Sequence, residues 1–169
     1  YIHKIKMEGN FINSELNSDD LAFFSTDVKD WKRTFSINGH IRGTVDNLVA
    51  KKMLIKSGNS IVDGDIVMRG LPEIDNTFID FTARDLHTTY SDLTSIIPAL
   101  KNIDKPRLNQ LGNIDYKGNF TGFINDFVAF GTINTNLGTV TGDLNLKLPE
   151  NKPAIYSGKI STQGFRLGQ

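Results

Sequence analysis

The sequence lacks several features that would point to particular classes of protein. It contains no cysteine, which excludes disulfide bonds and thiolate sites. Its 19 basic and 19 acidic residues cancel, so it has no basic excess with which to bind nucleic acid. No stretch approaches the roughly 18 consecutive apolar residues of a transmembrane helix, and residues 1–10 do not form the apolar core of a signal peptide. What remains is a neutral chain of 169 residues, about the length of one domain.

The clearest pattern in the chain is strict alternation of apolar and polar residues. Residues 139–148 read TVTGDLNLKL, which puts Val140, Leu144 and Leu146 on one side of a strand and polar residues on the other. Residues 61–69, IVDGDIVMR, alternate in the same way. This alternation predicts an all-β protein whose strands have one apolar and one polar face.

Two segments of the chain are near copies of each other. Residues 37–50 read INGHIRGTVDNLVA and residues 116–129 read YKGNFTGFINDFVA. Gly39 of the first copy corresponds to Gly118 of the second, 79 residues later. The alternating strands described above extend the duplication, but there the offset is 78 residues.

The duplication defines the predicted domain organisation. We interpret the chain as a single β-rich fragment of a longer repeat-containing protein, with an internal duplication over 37–72 and 116–149. Partial copies of the same apolar-x-Gly-x-apolar pattern surround Gly9 and Gly158.

The repeated glycines lie on the apolar side of the predicted strands. Glycine in the middle of a strand marks a bend, a bulge or the close approach of another group. Repeated in successive strands, such glycines would let a mostly antiparallel sheet curl into a trough with an apolar inner face. The alternative is a β-sandwich, in which the same glycines make room for large residues of a facing sheet.

The pattern also predicts the individual elements. One short helix is expected over 90–100, with Leu93 and Ile96 in its apolar stripe, Ser91 as N-cap and Pro98 kinking or ending it. Residues 18–24 are expected to form a second helical turn. The predicted strands lie near residues 2–12, 34–57, 60–70, 77–85, 114–135, 139–148 and 154–163.

No catalytic or metal-binding motif is apparent in the sequence. His3, His40 and His87 are far apart, and none has a carboxylate at metal-ligand spacing. Asp63 and Asp65 begin like a calcium loop, but apolar residues occupy the positions of the further ligands, so we expect an outward-facing acidic pair. We therefore expect a protein that is not an enzyme and that uses no cofactor and no metal.

Four motifs follow one another along the chain. They are the G-x-[IF]-x-G segments at Gly39 and Gly118, RGLP at 69–72, TTYSDL at 88–93 before the proline-containing helix, and the T-x-x-G strand start at 139–142. In this order they resemble the TamB family of AsmA-like proteins, particularly the large versions of Bacteroidetes. The resemblance spans nearly the whole chain.

The resemblance implies a function without catalysis. TamB-like proteins are anchored in the inner membrane and cross the periplasm as a β-rich rod whose curled sheet, the β-taco, has an apolar groove. They act with an outer-membrane β-barrel partner of the TamA or BamA type. They are implicated in phospholipid transport, outer-membrane biogenesis, and protein assembly and secretion. The chain is accordingly expected to be a periplasmic section of such a groove, holding phospholipid acyl chains.

The residues expected to line this groove are the in-phase apolar residues of all copies. A β-sandwich of a surface protein that binds a glycan or protein through its loops is the alternative function, and edge-to-edge self-association of the fragment is also expected. The predicted groove residues are Ile5, Met7, Phe11, Ile37, Ile41, Val45, Val62, Ile66, Met68, Tyr116, Phe120, Ile124, Val140, Leu144, Leu146, Leu148, Tyr156 and Ile160.

Overall fold

A computed structural model describes residues 3–22, 28, 31–96, 101, 108–149, 153 and 155–164. The nine strands of these residues form one antiparallel sheet, in which the spatial order of the strands is their order in the sequence. The strands are β1 (Met7–Asn17), β2 (Thr34–Thr44), β3 (Asn47–Ser57), β4 (Ser60–Arg69), β5 (Phe78–Thr89), β6 (Asn113–Phe123), β7 (Asp126–Thr135), β8 (Gly138–Lys147) and β9 (Ile155–Gln163).

Among the described strands the sheet is open, and β1 and β9 form its two edges. Three strands contain β-bulges: β1 at residues 12–13, β3 at 51–52 and β5 at 84–85. A bulge bends its strand and increases the local twist, which curls the sheet. The predicted curled, mostly antiparallel all-β fold is confirmed. The β-sandwich alternative is wrong for the described part of the chain, because all of its strands belong to one sheet.

Both long connections lie at the same rim of the sheet, which we call the helical rim. Helix α1 (Ser18–Leu21) follows β1, and helix α2 (Tyr90–Ile96) follows β5, which runs in the same direction as β1. A short 3-10 helix (Leu108–Leu111) leads into β6. Another 3-10 helix, Ile74–Asn76, lies at the opposite rim, between β4 and β5.

Helix α2 differs from its prediction in two respects. Its first turn is capped by Thr89, whose hydroxyl oxygen accepts a hydrogen bond from the Asp92 N–H at 3.1 Å, and not by the predicted Ser91. Its fully buried residues are Asp92 and Thr94, while Leu93 of the expected apolar stripe is half-buried. The helix therefore docks through polar contacts. Residues 97–100, with Pro98, lie outside the described residues.

Each copy of the duplicated segment is a hairpin and not a single strand. Residues 45–46 form the turn between β2 and β3, and residues 124–125 form the turn between β6 and β7. At the second glycine of the motif, φ is 122° in Gly43 and 137° in Gly122. A Cβ at either position would collide with the carbonyl oxygen of the residue four positions on, so glycine lets the two strands close at the turn.

The bulge in β3 explains the one-residue difference between the two offsets. β3 has 11 residues, whereas its counterpart β7 has 10 and pairs with β6 and β8 without a register shift. The extra residue lies at Lys51–Lys52, after the first matched segment and before the second. The copies therefore agree in strand order and differ by one bulge.

Several predicted strand boundaries are wrong. The regions 34–57 and 114–135 are each two strands, because their turns read Val-Asp and Ile-Asn and carry no glycine or proline signal. β1 begins at Met7 and runs to Asn17, beyond the predicted 2–12. β5 was predicted to end at residue 85 but runs to Thr89. Its bulge at 84–85 interrupts the alternation of apolar and polar residues, so the sequence pattern ends before the strand does. The helical turn predicted over 18–24 is present as α1 (Ser18–Leu21), and residues 23–24 lie outside the described residues.

The packed core lies on one face of β2 and β3. Phe35, Ile37, Ala50 and Met53 are buried there, and Trp31 packs against them from the connection that follows α1. Phe11, Leu16, Ile41, Ile55 and Ile66 surround this cluster.

Candidate functional site

Strand pairing separates all nine strands into two faces. In an antiparallel ladder, directly paired residues point to the same side, so the register can be followed from β1 to β9. One face carries Ile37, Ile66, Phe120 and Leu144, and we call it the apolar face. We call the opposite side the polar face.

The apolar face carries no charged residue in any of the nine described strands. The charged strand residues follow the other phase of the ladder, except Lys52 and Arg84, which lie in bulges without a ladder partner. Arg84 in turn binds Asp63 and Asp65 of the polar face. A face of nine strands without charge is suited to an apolar occupant and unsuited to a headgroup or a polar chain.

Fourteen of the predicted groove residues lie on this common apolar face. They are Met7, Phe11, Ile37, Ile41, Val62, Ile66, Met68, Tyr116, Phe120, Val140, Leu144, Leu146, Tyr156 and Ile160.

The other four predicted groove residues lie outside the strands. Ile5 precedes β1, Val45 and Ile124 are turn residues, and Leu148 follows β8. Val45 and Ile124 were misplaced because the alternation was carried through a turn that carries no glycine or proline. The register thus brings the strand residues together and leaves these four at the rims.

The sequence reasoning named no groove residue in β3, β5 or β7. The register adds Leu48, Met53, Phe81, Leu86 and Ile133, among others. Bulges interrupt the alternation of β3 and β5, and β7 carries apolar residues on both faces, so no period of two is visible in these strands. Only pairing with neighbouring strands assigns them.

A row of small residues crosses the middle of the apolar face. Gly64, Ala83, Gly118, Gly131 and Gly142 are directly paired across the five neighbouring strands β4 to β8, and we call this row the glycine lane. On either side of it lie rows of larger residues. One row is Val62, Leu86, Tyr116, Ile133 and Val140, and the other is Ile66, Phe81, Phe120, Ala129 and Leu144.

The ring of Tyr116 lies over part of the glycine lane. A Cβ added at Gly118 would be 2.8 Å from the Tyr116 hydroxyl oxygen, and one at Gly131 would be 2.8 Å from its ring carbon Cε2. The hydroxyl donates to the carbonyl oxygen of Asn119 at 2.8 Å and lies 3.1 Å from that of Phe130. Burial raises the pKa of Tyr116.

A small apolar pocket opens next to this ring. Its volume is about 90 Å³, and its lining includes Tyr116, Ile133, Val140, Leu144 and Ile160, with Gly131 and Gly142 beneath them. The pocket therefore occupies the part of the glycine lane that Tyr116 leaves open, across β7, β8 and β9.

The two halves of the apolar face differ in how far they are covered. In β1 to β4 the face holds the packed core described above, including Trp31. In β6 to β9, by contrast, the described strands contain no buried large apolar side chain, and Ile133, Tyr156 and Ile160 are exposed. The second half is thus the part of the face that is free to take a ligand.

The three histidines lie on the polar face or near a rim of the sheet, and each has its own partner. His3 contacts Asp46 at 2.7 Å, His40 contacts Asn10 at 2.8 Å, and His87 contacts Asp115 at 2.6 Å. Among the described residues, no three histidine or carboxylate side chains converge on a possible metal position.

Asp63 and Asp65 face outward as an acidic pair, as expected. Both bind Arg84, at 2.6 Å and 2.9 Å. The hydrogen bond from Arg84 and those from Lys52 N–H and the Lys51 ammonium lower the pKa of Asp65 to about 2. These contacts hold the bulges of β3 and β5 against β4, which is a structural role.

In the described part of the chain, no helix has the length and apolar character needed to cross a membrane. A comparison with protein-family models, with curated proteins and with solved structures found no match for this chain.

Proposed function

We propose that this chain is a section of a lipid-carrying groove that holds phospholipid acyl chains on its apolar face. The parent protein would be of the TamB or AsmA-like type, anchored in the inner membrane and crossing the periplasm to an outer-membrane β-barrel of the TamA or BamA type. Its role would be phospholipid transport in support of outer-membrane biogenesis and protein assembly and secretion.

The uncharged apolar face of the open sheet is the observation that carries this proposal. A sheet that only needed a core would cover such a face, yet Ile133, Tyr156 and Ile160 are left exposed on it. Each acyl methylene moved from water onto such a surface contributes about 0.8 kcal/mol. A conduit needs a continuous apolar surface and no specific polar contact.

The arrangement of the polar side chains favours a non-catalytic role. The polar side chains of the described strands pair with one another across the polar face, as in the contact of Lys147 with Asp126 at 2.7 Å. Of the residues that line the apolar pocket, only Asp143 is charged, and the strand register places its side chain on the polar face. The alternative function, binding of a glycan or protein through the loops of a β-sandwich, required a second sheet, and the described strands form only one.

A matched pair of substitutions in β8 tests the proposal. Leu144 lies on the apolar face and Asn145 is exposed on the polar face. We expect Leu144→Asp to fold, because its site is open to water, but to lose lipid, because a carboxylate in the acyl path is costly to desolvate. Asn145→Asp should retain lipid.

The measurement is native mass spectrometry of the purified chain after incubation with phosphatidylethanolamine vesicles, with circular dichroism to establish folding. The proposal predicts phospholipid adducts on the unmodified chain and on Asn145→Asp but not on Leu144→Asp. The absence of adducts on the unmodified chain, or equal adducts on all three proteins, would contradict it.

A further inference from the structure

We propose that Tyr116 is a gate that sets how far an acyl chain can extend along the glycine lane. This inference rests on the proposed function and names the residue that controls the length of the bound chain. Its basis is the position of the Tyr116 ring over Gly118 and Gly131, between an open pocket and the rest of the lane.

The dimensions of the glycine lane fit one extended acyl chain. Five neighbouring strands at about 4.8 Å spacing give a lane of roughly 19 Å, and one acyl chain spans half of a bilayer core of about 30 Å. The flanking rows are two residues away on each side, so their Cα atoms are about 13 Å apart, and their side chains narrow the space between them. An α-helix with its side chains is about 10–12 Å wide and would not fit.

Tyr116 closes this lane in the structure. Its ring covers the floor at β6 and β7, so the open pocket ends against it and extends the other way, over Gly142 to Ile160. On the far side of the ring, the lane continues to Ala83 and Gly64. A second ring, that of Phe81, covers Gly64: a Cβ added there would be 2.6 Å from its Cε2.

The hydroxyl of Tyr116 is what holds the ring down. Its contacts with the carbonyl oxygens of Asn119 and Phe130 fix the ring across the lane. When the side chain turns away, both carbonyls lose this donor, while the pocket gains the floor formed by Gly118 and Gly131. The ring is therefore held by hydrogen bonds in a position that closes the lane, and it can move aside only when these bonds are lost. Substitution of Tyr116 by phenylalanine removes them.

The test compares the binding of saturated fatty acids of 10 to 18 carbons to the unmodified chain, Tyr116→Phe, Tyr116→Ala and Phe130→Ala. Phe130 is an aromatic residue of β7 whose side chain lies on the polar face, opposite the groove, and is 61% exposed, so it serves as the matched control. Affinity is measured by isothermal titration calorimetry, and circular dichroism establishes folding.

In the unmodified chain and in Phe130→Ala, we expect affinity to stop rising once the pocket is filled. In Tyr116→Ala it should keep rising by about fourfold for each further methylene that enters the lane. Tyr116→Phe keeps the ring but loses the hydrogen bonds of the hydroxyl. Its affinity should therefore stop rising at a longer chain length than in the unmodified chain, but at a shorter one than in Tyr116→Ala. If Tyr116 only stabilised the fold, its replacement would not change how affinity depends on the length of the fatty acid.

The possible results separate this inference from the function on which it rests. If the unmodified chain binds no fatty acid of any length, the proposed function fails. If it binds them, and in both Tyr116 variants affinity stops rising at the same chain length as in the unmodified chain, the proposed role of Tyr116 is wrong. The proposed lipid-binding function is then unaffected. Should Tyr116→Ala not fold, Tyr116→Phe decides alone, because it leaves the packing of the ring in place.

Discussion

The glycines of this sheet act in two different ways. Gly43 and Gly122 have positive φ values beside the two repeated turns, where a side chain would strike the backbone of the next strand. At Gly118, Gly131 and Gly142 of the glycine lane, an added Cβ would also strike a carbonyl oxygen of the neighbouring strand, and the missing side chains leave the middle of the apolar face uncovered. The first kind is needed for the hairpin to close. The second lets neighbouring strands pair and also leaves the space that a ligand can occupy.

Replacing a glycine of the first kind should destabilise the chain. Gly122→Ala would place Cβ 2.6 Å from the Cα of Phe127, with φ at 137°, and we expect it to lower the free energy of unfolding by about 1–3 kcal/mol. The control is Gly9→Ala, where a Cβ would meet only the side chain of Ile41 at an ordinary 3.8 Å. Urea denaturation checks both variants. Equal stability of the two would contradict this account of the turn.

Asp65 is the polar residue on which two bulges depend. Its Oδ1 accepts from the Lys52 N–H at 2.8 Å and from the Arg84 guanidinium at 2.9 Å, so it joins β3 and β5 to β4. Because these donors lower the pKa of Asp65 from 3.8 to about 2, the carboxylate stabilises the folded state above the unfolded pKa. That contribution is lost as pH falls from about 4 to about 2.

The stability difference between the unmodified chain and Asp65→Asn should therefore depend on pH. We expect it to be largest near neutral pH and to shrink between about pH 4 and pH 2, as measured by urea denaturation at pH 7, 4, 3 and 2. Asp80→Asn, which removes an exposed carboxylate of the same face, controls for the general loss of negative charge. A difference for Asp65→Asn that is constant with pH would show that the carboxylate charge is not responsible.

At the scale of elements, the helical rim is held together by one buried ion pair. Arg33, just before β2, contacts Asp92 of α2 at 2.6 Å, and only 15% and 9% of their side chains are exposed. Asp92 also accepts from the Asn59 N–H in the turn between β3 and β4 and from the Ser60 hydroxyl at the start of β4. The Arg33 contact lowers the pKa of Asp92. This cluster attaches the second helical connection to the first half of the sheet.

Removing Arg33 should leave a buried carboxylate without its counter-ion. We expect Arg33→Ala to lower the free energy of unfolding by about 3–5 kcal/mol and to expose α2, so that trypsin cleaves faster after Lys101. Lys147→Ala removes an ion pair whose side chains are 56% and 45% exposed, and it should cost about 0–1 kcal/mol. Urea denaturation and timed proteolysis distinguish the two. If both variants behave alike, burial of the Arg33 pair contributes nothing.

The elements also show how far sequence alone could lead. Strict alternation correctly predicted β4 and β8, where no bulge interrupts the strand itself, and it placed their apolar residues on the right face. It failed at the turns after Thr44 and Phe123, because a turn without glycine or proline looks like more strand. It also missed the apolar residues of β5, since the bulge at Arg84 reverses the phase of the pattern. The ring of Tyr116 over the glycine lane was beyond prediction, because only strand pairing reveals which glycines are neighbours.

At the scale of the whole molecule, the two free edges are unequal. β1 is irregular at its edge: its bulge includes Asn13 with a φ of 46°, and Glu8 and Glu15 lie on its polar face. β9 pairs with β8 without a register shift and is exposed along its whole length, with Ile155, Tyr156 and Ile160 among its exposed residues. A regular exposed edge is the kind that pairs with a second copy.

We therefore expect the isolated chain to self-associate through β9, by antiparallel pairing of two copies about a twofold axis. Tyr156→Lys combined with Ile160→Lys should weaken this association, since like charges would meet across the two edges. Thr141→Lys combined with Asn145→Lys adds the same charge to β8, one strand inside, and should leave association unchanged. Sedimentation velocity over a range of concentrations is the measurement. A chain that stays monomeric throughout contradicts the expectation.

Strand order that follows the sequence gives this molecule a nearly one-dimensional character. Each strand is hydrogen-bonded only to the strands before and after it in the chain, so its stability approximates a sum of nearest-neighbour terms, as in repeat proteins. Folding requires no strand to find a distant partner, which keeps the contact order low and lets structure propagate from any hairpin. Because β6, β7 and β8 repeat β2, β3 and β4 four strands later, units of four strands can be added or removed without altering the contacts inside the others. The length of such a sheet is set by the number of copies that a gene encodes. Duplication or deletion of a copy would therefore lengthen or shorten the sheet while the fold stays the same.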